Sequence, residues 1–86
     1  MQLKDGFVLR SVAGETVVVP VGGDLDLNMM ITLNDTGKLL WQRLESGATR
    51  QELTDALCTE FAVDRDTAAA HVDAFVAELA KNGFLR

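Results

Sequence analysis

Residues 29–41 read "MMITLNDTGKLLW", a short apolar strand that runs without a spacer into an amphipathic helix. The strand is predicted over residues 29–33. Asn34 or Asp35 then caps the helix, because a short oxygen-bearing side chain accepts a bond from an otherwise orphan N–H. Leu39, Leu40, Trp41 and Leu44 fall on or near one face of that helix, over about residues 35–45. "SGA" stops it, with Gly47 suited to the left-handed position.

Upstream, "FVLRSV" (residues 7–12) and "TVVVPV" (residues 16–21) are β-branched runs separated by "AGE", a connection of hairpin length. Pro20 cannot donate to a ladder, so this second strand either ends near Val19 or turns residue 20 outward. "VGGDLDLN" (residues 21–28) is the one long irregular piece. It has two glycines but no lysine and no following helix of the phosphate-loop kind, which makes it a strand connection.

Downstream, "TRQE" at residues 49–52 is a capping box that opens a second helix, with Leu53, Ala56, Leu57 and Phe61 at helical spacing. A third helix is expected from Asp64 to about Asn82, with Gly83 as its stop. Ala68, Val72, Phe75, Val76 and Leu79 form its inward stripe, and Phe84 and Leu85 fold back after it. Strands first and helices after make an α+β domain, a three-stranded antiparallel sheet followed by three helices.

The 86 residues are expected to form one domain. A formal charge of −5, with eight scattered Lys and Arg, argues against a nucleic-acid partner, which is held by clustered cations. The single cysteine, Cys58, excludes an internal disulfide and fits a reducing compartment. No run approaches the ~18 apolar residues of a membrane span, so a cytoplasmic location without membrane contact is expected. His71, the one histidine, lies just off the inward stripe. Neither Asp73 nor Glu78 stands three or four residues from it, so it belongs to the surface or a groove rim. No second His or Cys completes a metal set. No cofactor is expected, and no nucleophile, base and orienter come together to make an enzyme.

Consecutive strands usually pair with their neighbours, which leaves the third strand as an edge of the sheet. Nothing in residues 28–33 is charged or is proline, the usual devices that blunt an edge. The edge is either shielded by a helix or a dimer mate, or it is a rail for an extended peptide. In the second case main-chain bonds supply affinity and side-chain pockets supply choice. Methionine suits such a pocket because its flexible thioether repacks around different partners.

The stretch "TLNDTGKLLWQRLESGATRQELTDALCTEFAVDRDTAAAHVDAFVAELAKNGFL" resembles the PqqD family, also called the RiPP recognition element. The likeness lies in the ordered set Leu33-Asn34, Gly37, Leu40-Trp41, the "GAT" break, the "EL" pair, "FAVD" and the final "LAKNGFL". The resemblance implies a winged-helix-like domain that binds the leader segment of a ribosomally made precursor peptide and presents it to a separate modifying enzyme. It further implies that the leader adds as a fourth strand to the third strand and lies against the third helix. By position, Asn28, Met29, Met30, Ile31, Thr32 and Leu33 would form the rail. Arg65, Ala68, Ala69, Val72 and Val76 would form the opposite wall. Arg65 is suited to hold a leader carboxylate through two parallel bonds.

The connection "VPVGGDLDLNMMI" departs from the shorter one associated with quinone-pathway members. It fits a standalone member serving a radical SAM or lasso-peptide system. Two rival readings are a winged-helix DNA-binding protein and a homodimerisation module. Asp64, Asp66, Asp73 and Glu78 against Arg65 and Lys81 make the last helix a poor phosphate reader. A self-paired edge strand would give a homodimer.

Overall fold

The computed structural model describes residues 1–21 and 31–86. Strands β1 (Phe7–Val12), β2 (Glu15–Pro20) and β3 (Ile31–Leu33) precede helices α1 (Asp35–Glu45), α2 (Arg50–Phe61) and α3 (Arg65–Lys81). The sheet is antiparallel in the order β1-β2-β3. This is the α+β arrangement expected from the order of patterns. The expected strand residues Met29 and Met30, the site residue Asn28 and nearly all of the irregular connection lie outside the described residues.

The hairpin is tighter than "AGE" suggests. Only Ala13 and Gly14 form the loop, at φ 51° and 81°, and β2 begins at Glu15, paired with Val12. Positive φ at both central residues matches the right-handed twist of the flanking strands, a geometry for which Asn-Gly is the usual signal. Ala13 hides it.

One backbone bond fixes which way each strand residue faces. The Val21 N–H donates to the Gly6 carbonyl at 2.8 Å, on the β1 side. Polar groups of successive residues in an antiparallel strand point to alternate sides, so Thr16, Val18 and Pro20 face away from β1. Pro20 therefore stays inside β2, opposite Phe7, without removing a bond from the β1 ladder. Thr16 pairs with Leu33, Val17 with Thr32 and Val18 with Ile31. Thr32, opposite a residue that bonds β1, consequently turns its own N–H and C=O outward from the sheet.

Each helix starts on a side-chain cap. Asn34 accepts from the Gly37 N–H at 2.9 Å. Thr49 accepts from the Glu52 N–H at 3.1 Å while Glu52 accepts from the Thr49 N–H at 3.0 Å. Asp64 accepts from the Thr67 N–H at 2.7 Å. α3 stops at Gly83, whose φ of 79° lets the Phe84 N–H return to the Leu79 carbonyl at 2.9 Å.

The core gathers Val18 and Leu33 from the sheet, Leu40, Trp41 and Leu44 from α1, Leu53 and Leu57 from α2, and Ala68, Val72 and Leu79 from α3, with Phe84 behind them. The Trp41 indole N–H is buried and finds no acceptor among the described residues. Its ring meets Phe84 edge to face, with centroids 5.6 Å apart. No helix among the described residues is long and apolar enough to cross a membrane.

Candidate functional site

An open cleft of about 920 Å³ lies between the free side of β3 and α3. Its floor and strand side are Ile31, Thr32 and Leu33, continued by the start of α1 from Asn34 to Gly37 and by Leu40. Gly14, Glu15 and Thr16 of the hairpin close one end. The facing wall is His71, Ala74, Phe75, Glu78 and Leu79 of α3.

Gly37 explains how the two walls meet. A Cβ on Gly37 would stand 3.3 Å from Phe75 Cε1 and 3.2 Å from the capping Asn34 Oδ1. The helix gives up roughly 1 kcal/mol of propensity by using glycine there, and the half-buried Phe75 ring fills the space. The close neighbour that glycine admits here is an aromatic side chain rather than another backbone.

α3 is held in position on its far side. Arg50 of α2 makes a two-pronged contact with Asp73, at 2.5 and 2.8 Å, and Arg65 donates to Asp55 of α2 at 2.7 Å. Both pairs are more than half exposed, so each contributes modestly. Their effect is to register α3 on α2 and leave its other flank to the cleft.

The expected rail and wall can now be placed. Ile31, Thr32 and Leu33 line the cleft, with Thr32 exposed and Leu33 buried. On α3 the residues that line the cleft are not those named from the sequence. Ala68 and Val72 are completely buried in the seam against α2, and neither they nor Arg65, Ala69 or Val76 line the cleft. The core stripe of α3 has two flanks. Residues 71, 74, 75 and 78 lie on one, whereas residues 65, 69 and 76 lie on the other, as about 100° per residue requires. Arg65 is moreover engaged by Asp55 within the chain. His71 is an exposed cleft residue, in line with its predicted place on a groove rim. Ala74 and Glu78 line the cleft without having been expected there, although their i, i+3, i+4, i+7 spacing with His71 and Phe75 is itself a stripe. Among the described residues no group of His, Cys, Asp and Glu could hold a metal ion.

With the geometry in place, comparison with known proteins becomes informative. The family model described as coenzyme PQQ synthesis protein D (PqqD) matches residues 15–85. The chain belongs to the PqqD family. Two solved structures share the whole PqqD-like arrangement. One is TbiB1 in complex with the TbiA(beta) leader peptide, at TM-score 0.78 and 28% identity, covering 100% of this chain and 95% of that chain. The other is lasso peptide synthetase B1 complexed with the leader peptide, at TM-score 0.74 and 26% identity, covering 96% of this chain and 93% of that chain. No curated protein gives a significant match.

The supports of this PqqD-family wall are acid-sensitive. The Arg50 hydrogen bond holds the Asp73 carboxyl below the usual carboxylate range. The Thr67 backbone N–H, then its hydroxyl, does the same for Asp64. A carboxyl with a depressed folded pKa contributes stability above its unfolded value of about 4 and loses it as pH falls through the folded value. Melting temperature is therefore expected to drop below about pH 4, and less steeply in Asp64→Asn/Asp73→Asn than in wild type. Coincident pH profiles for the two proteins would show that these contacts do not act in solution.

Proposed function

We propose that this protein is a non-catalytic peptide-binding domain, spanning the chain, that captures the leader of a ribosomally made precursor peptide and presents it to a modifying enzyme. The observation that carries this reading is a β3 edge that no described strand pairs, lying along the β3–α3 cleft, in a fold that two leader-peptide complexes match over nearly their whole length. An added strand takes main-chain bonds from β3 and seats alternate side chains on the cleft floor. Thr32 supplies the outward N–H and C=O, and Phe75 and Ile31, both half-buried, supply apolar surface. The resident chemistry of the cleft is recognition: among the described residues its lining offers His71 and scattered carboxylates but no assembled nucleophile and base. The enzyme it would serve is one of the lasso-peptide or radical SAM type.

Titration of isotope-labelled protein with the leader of a precursor encoded beside it tests the proposal. Amide signals of Ile31, Thr32 and Leu33 and of His71, Ala74, Phe75 and Glu78 are expected to move together. Hydrogen exchange should slow most at Thr32, whose N–H has no sheet partner among the described residues. Shifts confined to α2, or a protein whose β3 edge is already closed by a second copy in sedimentation, would overturn it.

A further inference from the structure

The cleft is charged on one side of neutrality only. Among the described residues its ionisable lining consists of Glu15, Asp35, Glu78 and His71, with no Lys or Arg. Elsewhere on the surface three of the five arginines find carboxylates: Arg50 with Asp73, Arg65 with Asp55 and Arg86 with Asp5. None of these three ion pairs involves a cleft carboxylate. Residues 22–30 contain Asp24 and Asp26 and no basic residue, so that segment carries no cation for the cleft either. Glu15 and Asp35 belong to the same end. Thr16 pairs with Leu33, which puts Glu15 just past the end of β3, where the chain enters α1 through Asn34 and Asp35. Both are exposed.

Unpaired carboxylates beside an open main-chain edge favour one kind of guest. We propose that the cleft selects extended peptides by positive charge, with a Lys or Arg side chain of the guest lying over the Leu33 end of β3, between Glu15 and Asp35. The inference rests on the peptide-binding reading above and adds the chemistry of the guest. The pairing is rim-exposed, so it acts chiefly on choice and encounter rate. A single exposed ion pair is worth at most about 1 kcal/mol, or about fivefold in affinity. Apolar contact with Phe75 and Ile31 accompanies it, and the charge decides which of several apolar peptides is kept.

Selection from a phage-displayed library of random short peptides tests the proposal without knowledge of the natural guest. Wild-type protein should enrich peptides with Lys or Arg at a fixed place relative to an apolar residue. The charge-reversed Glu15→Lys/Asp35→Lys variant should turn that position to Asp or Glu. Glu45→Lys/Glu60→Lys changes the net charge equally, away from the cleft, and should keep the wild-type preference. A synthetic selected peptide should bind wild type about fivefold more tightly than its Lys→Ala form, and the gap should close in high salt. Peptides enriched without a basic position, or a basic preference that survives charge reversal, would overturn the inference while leaving the peptide-binding reading intact. No enrichment of any peptide would sink both.

Discussion

Thr32→Pro is expected to abolish leader binding while leaving the protein folded. Thr32 faces outward from an edge strand, so the N–H that proline removes has no partner among the described residues. Edge strands accept proline on the side that faces solvent, and Ile31, the residue before it, is already in the extended conformation that proline demands of its predecessor. An added peptide strand meets the opposite situation. It loses the one outward N–H of the described part of β3 and must also clear the ring. The lost hydrogen bond alone is worth about 1 kcal/mol and its unsatisfied partner on the peptide a further 1–3 kcal/mol, so affinity should fall by well over tenfold. Thr32→Val is the companion variant. It alters only a side chain on the exposed face and should bind within about threefold of wild type. Calorimetric titration of both variants, with circular dichroism to verify folding, decides the matter. Thr32→Pro that binds normally would mean that the peptide does not use this edge.

How far the sequence alone reaches is clear from where it succeeds. The caps at Asn34, Thr49 and Asp64 and the stop at Gly83 are local arrangements of a few consecutive residues, and the helices start and end where those residues say. Gly14 marks the hairpin, but the loop is one residue shorter than expected because Ala13 takes a left-handed conformation usually left to Gly or Asn. The edge position of β3 is also legible, since residues 28–33 carry neither the charge nor the proline that commonly blunts an edge. The flank of α3 that faces that edge is not legible. Periodicity locates the stripe Ala68, Val72, Leu79 but treats its two flanks alike. The choice between them is made by where α2 packs and by the Arg50–Asp73 and Arg65–Asp55 contacts, which join residues 23 and 10 positions apart. Gly37 and Phe75 show the same limit: each looks ordinary alone, and only the fold brings them together.

Phe84→Ala is expected to have the largest effect on stability. Phe84 is 1% exposed and is the meeting point of four parts of the chain. Its ring stands edge-on to Phe7 of β1, with centroids 4.7 Å apart, and to Trp41 of α1 at 5.6 Å. Its N–H caps the end of α3, and its carbonyl accepts from Lys4 at 2.8 Å, next to the bridge between Leu3 and Leu85. Truncating a buried Phe to Ala costs about 3–5 kcal/mol, and an 86-residue chain has only about 4–13 kcal/mol to lose at 0.05–0.15 kcal/mol per residue. The denaturant midpoint should therefore move far down with an unchanged slope, and the melting temperature should fall by more than about 10 °C. Phe84→Leu, which leaves a smaller void, should lose less than half as much. A cost under about 1 kcal/mol for Phe84→Ala would show that the tail does not close the core as described. The cleft gives the variant a second use. Phe84 does not line it, so the molecules that remain folded should bind peptide with near wild-type affinity. Thr32→Pro and Phe84→Ala then separate the two roles of the sequence: one disables the open edge within an intact fold, and the other weakens the fold behind an intact edge.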